Sequence, residues 1–213
     1  MRGAAAIAEM GWGDGDGAVR LLVTGCSRSG TTLMANLIAT GFHDVVYPGG
    51  EAFPSEDTNG KIHLGKLPSV ALEVPRVVAD GLHVVFMLRD PRYVLTSIHP
   101  KDPGHPWVTA EQWCACAVMW LATASLRTVY RVRYETLVDW PRFIQADMRQ
   151  WLEVDMRRDF TEAWAHFVDA PDNLDAMGGA RPMARPIRPV PAWDDLPAQV
   201  RLLADQCGYE VGP

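Results

Sequence analysis

The chain has 213 residues, 48% of them apolar, and a formal net charge of −6. That length suits one domain with a sizeable core, and the acidic balance argues against nucleic acid or an acidic polymer as a partner. The cysteines Cys26, Cys114, Cys116 and Cys207 match no zinc or thioredoxin spacing, so reduced thiols in a cytoplasmic protein are expected.

Residues 1–17 are Ala-rich and then Gly/Asp-rich, without a basic start or an apolar core. They read as a flexible tail before a single α/β domain over 18–213. No apolar run is long enough to span a bilayer.

Val19 to Thr24 predicts a buried strand, followed by a glycine-rich turn and a helix from Thr31 to Thr40 that stops at Gly41. A short strand is expected over Asp44–Tyr47, a loop over 48–60 and a strand over Ile62–Gly65. Val70 to Asp80 has helical spacing but contains Pro75. His83 to Leu88 is continuously apolar, as in the middle of a parallel sheet. Asp90-Pro91 then gives an N-cap residue and a proline at the first helical position, predicting a helix through Ser97. Pro100 to Pro106 reads as loop, Ala110 to Thr123 as helix, Thr128 to Arg133 as strand and Pro141 to Leu152 as helix. Residues 169–191 are rich in Gly, Pro and Arg and read as an irregular loop. Asp194 to Cys207 closes as a helix before Gly208. Strands alternating with helices predict a three-layer P-loop α/β fold, with a central parallel sheet flanked by helices.

The turn after the first strand is Gly25-Cys26-Ser27-Arg28-Ser29-Gly30-Thr31-Thr32. Two glycines before a helix turn backbone N–H groups toward an anion. An ATP or GTP loop carries Lys and then Ser/Thr after its second glycine. Here Thr31 occupies the lysine position and the cation stands upstream at Arg28. The loop is built to hold a phosphate, but not in the manner of a kinase. A second motif, Leu88-Arg89-Asp90-Pro91-Arg92 with Ser97, follows the central strand, and a third is Val132-Arg133-Tyr134-Glu135-Thr136-Leu137.

The three motifs in this order resemble sulfotransferases that use 3′-phosphoadenosine 5′-phosphosulfate (PAPS; product PAP). The resemblance implies that Arg28, Ser29, Gly30, Thr31 and Thr32 bind the 5′-phosphosulfate. Arg89 and Ser97 would bind the 3′-phosphate, and the third motif would lie near the donor. It also implies in-line, metal-independent sulfuryl transfer to the hydroxyl of a small molecule, lipid or glycan. No metal, no nucleic acid and no membrane span are expected, and a homo-oligomer is left open. A donor with two anionic ends needs two anion sites, and a guanidinium with a hydroxyl suits the second.

Gly65-Lys66-Leu67-Pro68 resembles the Lys-x-Pro segment of several members, which implies that Lys66 lies against the transferring group. Gly50-Glu51 resembles a Gly-Glu segment after the first helix. There Glu51 would be the general base, although Ala52 stands where the tyrosylprotein group has a second glutamate. His63, His99 and His105 are the rival bases, since imidazole titrates near neutrality. The Arg-Lys-Gly segment of many cytosolic members is missing. Ala184-Arg185-Pro186-Ile187-Arg188-Pro189-Val190 resembles a basic-Pro-Val stretch of the tyrosylprotein and Golgi-like groups and implies Arg188, then Arg185, as a donor-phosphate ligand. Trp107, Trp113 and Trp120 lie near the expected acceptor side, and the helical spacing of Trp113 and Trp120 favours core over sugar-stacking platforms. A donor-binding pseudoenzyme and a P-loop kinase are the alternatives. The first would keep the donor site without the base, and the second would need the absent lysine.

Overall fold

The computed structural model describes residues 18–55, 61–99, 102–167 and 189–212. The expected N-terminal tail and most of the 169–191 segment, with Arg185 and Arg188, lie outside them.

Five parallel strands form the sheet: β1 (Val19–Gly25), β2 (Val45–Val46), β3 (Ile62–Lys66), β4 (His83–Leu88) and, last in the chain, β7 (Val129–Arg133). Their order is β2-β3-β1-β4-β7, which puts β1 at the centre between β3 and β4. Because strand side chains alternate, each central strand feeds both faces. Leu22, Val84, Phe86 and Leu88 enter one apolar layer, while Leu21, Val23, Val85 and Met87 enter the other.

The first layer is closed by a 3₁₀ turn (Pro68–Glu73), α2 (Val74–Ala79), α4 (Ala110–Ala122) and α8 (Ala198–Gln206). The second is closed by α1 (Thr31–Gly41), α5 (Tyr134–Asp139), α6 (Pro141–Leu152) and α7 (Phe160–Ala163). This is the expected three-layer α/β architecture. Thr109 starts α4 with a reciprocal cap, its hydroxyl accepting from the Gln112 N–H while the Gln112 side chain accepts from its own N–H. Among the described residues no helix is long and apolar enough to cross a membrane.

The structure corrects several expected elements. Val70 to Asp80 is not one helix. Val70 has non-helical angles, and α2 restarts with Pro75 in its first turn, where a missing N–H costs nothing. The helix after Asp90, α3 (Pro91–Val94), is one turn long, so Ser97 lies beyond it and donates its N–H to the Val94 carbonyl. The expected 100–106 loop instead holds a strand, β6 (Asp102–Pro106), paired antiparallel with β5 (Ile98–His99). The final helix starts at Ala198, after a separate 3₁₀ turn (Trp193–Asp195) and Pro197. Helix α5 follows β7 with no intervening residue.

Candidate active site

The carboxyl ends of β1, β3, β4 and β7 meet along one edge, where open parallel sheets bind ligands. The loop leaving β1 is closed by the Ser29 N–H donating to the Cys26 carbonyl at 3.1 Å. Two residues take left-handed backbone angles, Arg28 (φ +70°) and Gly30 (φ +88°). A non-glycine residue there stores strain of about 1–3 kcal/mol. At Gly30 the space is also closed, since an added Cβ would lie 2.6 Å from the Tyr134 ring. Helix α1 begins directly after Gly30, without a side-chain cap and without an acidic residue in its first turn. Its leading N–H groups and positive dipole end are left for an anion.

Three cation-bearing elements converge on this loop. Arg28 donates from Nε to the Ser97 hydroxyl at 2.8 Å, and Arg89 donates to the Arg28 carbonyl at 3.2 Å. The Arg89 guanidinium stacks 4.1 Å from the centre of the Tyr134 ring, and its Nε is buried without a hydrogen-bond partner. An orphaned guanidinium N–H beside an uncapped helix end suits an anionic ligand. From β3, the fully buried Lys66 donates its ammonium to the Thr32 hydroxyl at 3.1 Å.

No family model and no curated protein matches the sequence. Solved structures do match. A sulfotransferase domain from the Synechococcus PCC 7002 olefin synthase superposes with a TM-score of 0.60 at 15% identity, covering 93% of this chain and 98% of that one. The chain has the sulfotransferase fold. A sulfotransferase domain from the curacin biosynthetic pathway gives 0.57 at 13% identity, covering 92% and 99%. A mouse sulfotransferase, SULT7A1, complexed with PAP gives 0.50 at 11% identity, covering 70% of this chain and 64% of that one.

Within this sulfotransferase fold the segment bearing Glu51 is tied to the lysine strand. Ala52 and Lys66 exchange both backbone hydrogen bonds, at 2.9 and 3.0 Å. Gly65 makes this crossing possible, because a Cβ there would fall 2.4 Å from the Pro54 nitrogen. Glu51 is therefore exposed one residue from the backbone of the buried lysine. The three histidines are placed differently. His63 is buried inside β3, three residues back from the edge and bonded at Nδ1 to the Ser55 hydroxyl at 2.7 Å. At about 3.3 Å per residue it lies roughly 10 Å below Lys66 along the strand. His105 is exposed on β6, and the side chain of His99 is outside the described set.

The donor-end grouping also differs from the sequence reading. Ser97, expected beside Arg89, is bonded to Arg28, which joins the loop after β1 to the segment leaving β4. Ser29 is fully buried with its hydroxyl unpartnered, Thr31 is buried and Thr32 is half-buried. The Cys116 thiol and burial hold the Cys26 thiol well above its ordinary value, so it stays protonated and inert.

Two supporting groups were not assigned roles from sequence. Trp113, a core residue as its spacing predicts, also donates its indole N–H to the Arg89 carbonyl at 3.0 Å. Glu135 accepts the Asp90 N–H at 3.1 Å, and Asp90 in turn caps α3 and pairs with Arg92 at 2.7 Å. Burial pushes the Glu135 carboxyl above the usual carboxylate range. The signal for both was position: each lies opposite the turn that leaves a central parallel strand. Beside Glu135 a cavity of about 420 Å³ opens toward Arg133, Trp193 and Tyr209.

Proposed function

We propose that this protein transfers a sulfuryl group from PAPS to a hydroxyl of a small-molecule, lipid or glycan acceptor. The observation that carries the reading is the uncapped α1 N-terminus flanked by Arg28, Arg89 and Lys66, with Thr31 where a triphosphate loop has its lysine. When bound, the donor supplies a sulfuryl group on a phosphate leaving group, so one sulfur–oxygen bond forms to the acceptor as another breaks.

The N–H groups of residues 30–32 and the hydroxyls of Thr31 and Thr32 hold the 5′ end, with Ser29 shaping the loop. Arg28 and Lys66 neutralise negative charge that grows during transfer, and preorganised cations in a dry site do this well. Arg89 holds the 3′-phosphate with Ser97, and Arg188 is proposed as a further phosphate ligand there. The orphaned Arg89 Nε supports that assignment. Glu51 takes the acceptor proton, being exposed next to the lysine strand. His105, exposed on β6, is its rival. Four free, buried cysteines fit a cytoplasmic setting.

The test is ligand stabilisation, since a ligand of the native state raises its unfolding free energy by about 2.7 kcal/mol at a hundredfold excess over Kd. PAP is expected to raise the melting temperature, ATP with magnesium and ADP are not, and Arg28→Ala and Arg89→Ala are expected to cut the PAP shift. A shift with ATP–magnesium alone overturns the proposal.

A further inference from the structure

We infer that the cavity beside Glu135 is a second ligand site, built for an uncharged guanine base, free or as its nucleoside. It does not depend on the sulfuryl-transfer reading. At about 420 Å³ the cavity is within the size range of small-molecule sites. Its walls come from distant parts of the chain: the turn carrying Asp90 and Arg92, the junction of β7 with α5, and the C-terminal stretch holding Trp193 and Tyr209. Among the described residues none of Arg28, Lys66, Arg89 and Ser97 lines it, so it is separate from their cluster. Strand alternation explains the separation. Val132 enters the layer that holds α1, so Arg133 turns to the opposite face, where Tyr209 and Trp193 pack.

Two wall groups are left without hydrogen-bond partners: the hydroxyl of Tyr209, a residue only 7% exposed, and Oε2 of Glu135. An unpaired buried polar atom is costly, and a ligand that pairs both recovers that cost. The two arginines of the wall retain donors. Asp90 takes Nε and one terminal nitrogen of Arg92, and the Gly208 carbonyl takes one nitrogen of Arg133. The remaining guanidinium nitrogens still carry N–H groups.

Charge and shape select the ligand. Half-buried Arg92 and Arg133 disfavour a cation, while exposed Asp139 and Glu210, with the Glu135 carboxyl, disfavour an anion. A neutral ligand with acceptors and donors side by side suits both signs. Trp140, 66% exposed, offers it an indole face, whereas Arg92 already covers Trp193 at 4.1 Å. Guanine is flat and has that edge: O6 and N7 accept from an arginine fork, while N1–H and the N2 amine donate to carboxyl oxygens. Adenine sets a donor amine beside N7, so a guanidinium loses one of its two acceptors.

The experiment is equilibrium dialysis of the full chain against guanosine, adenosine and guanosine 5′-monophosphate, each with and without saturating PAP. Guanosine is expected to bind at least about tenfold more tightly than adenosine, the discrimination typical of one bidentate pair, and more tightly than the monophosphate. PAP is expected to leave guanosine affinity unchanged. Tyr209→Phe removes an unpaired hydroxyl and keeps the ring, so the melting temperature is expected to hold or rise while guanosine binding weakens several-fold. Trp140→Ala, at an exposed position, is expected to weaken guanosine by a similar factor. Absence of guanosine binding overturns the inference, as does equal or tighter binding of adenosine or the monophosphate, or unchanged affinity in both variants. Displacement of guanosine by PAP overturns it too, by returning the cavity to the donor site. Failure of PAP to bind overturns the sulfuryl-transfer reading alone, and the arms without PAP still decide this site.

Discussion

Arg28 and Ser97, 69 residues apart in the chain, are joined by a 2.8 Å hydrogen bond from the guanidinium Nε to the hydroxyl. The bond ties the loop after β1 to the segment leaving β4, so neither is set independently of the other. Removing a hydrogen bond to a charged group costs about 1.5–3 kcal/mol, or roughly tenfold to a hundredfold in affinity. Ser97→Ala is expected to weaken PAP binding by that factor in isothermal titration, with little change in melting temperature. An unchanged PAP affinity would separate Ser97 from the donor site.

Glu135 is a stability probe with a defined sign. Burial raises its pKa, with Asp90 adding to the rise, against the Asp90 N–H and Arg89, which lower it. The folded state then binds the proton more tightly than the unfolded chain. The contribution is fully present below the ordinary carboxylate pKa and is lost as pH rises through the raised folded value. In urea titrations Glu135→Gln is expected to flatten this decline and to match or exceed the wild type at neutral pH. Glu135→Ala, which strips the Asp90 N–H of its acceptor, is expected to be less stable at every pH. A wild-type stability rising through the same window contradicts the assignment.

Gly30 is held by backbone angle and by lack of space together. Gly30→Ala is expected to cost about 1–2 kcal/mol from the left-handed backbone alone, plus the clash with Tyr134. Adding Tyr134→Ala relieves the clash and leaves the backbone cost. Chemical unfolding of the single and double variants separates the two parts, and a fully restored double variant would show that strain plays no role.

Lys66 is a buried ammonium that donates to the Thr32 hydroxyl. Replacing a buried charge by an apolar side chain of similar length is often neutral or stabilising. Lys66→Met is therefore expected to keep the melting temperature and to lower sulfuryl transfer to an acceptor hydroxyl by about 10²–10³, the loss typical of one charge-stabilising group. Turnover within a few-fold of the wild type would remove Lys66 from the chemistry.

Much of the fold is local enough to be read from sequence. β1 and β4 are continuous apolar runs because both faces are buried, and Gly30-Thr31-Thr32 announces the start of α1. What escaped depends on pairing between distant segments. Nothing in residues 49–53 shows that Ala52 will bond to Lys66, and Gly65 reveals its purpose only once that crossing is seen. Ser97 was expected on a helix because Asp90-Pro91 starts one, but nothing local marks its end at Val94. Pro100, Pro103, Gly104 and Pro106 look like loop, yet Asp102–Pro106 pairs with β5. The spacing of Trp113 foretold burial, whereas its indole hydrogen bond to Arg89 follows from where α4 docks.

That indole contact links two properties that protein engineers usually tune apart. Trp113 is at once a filler of the interior and the prop beneath the Arg89 backbone. A repacking of α4 that raises heat tolerance by shifting this ring would also move the Arg89 backbone and re-aim its guanidinium.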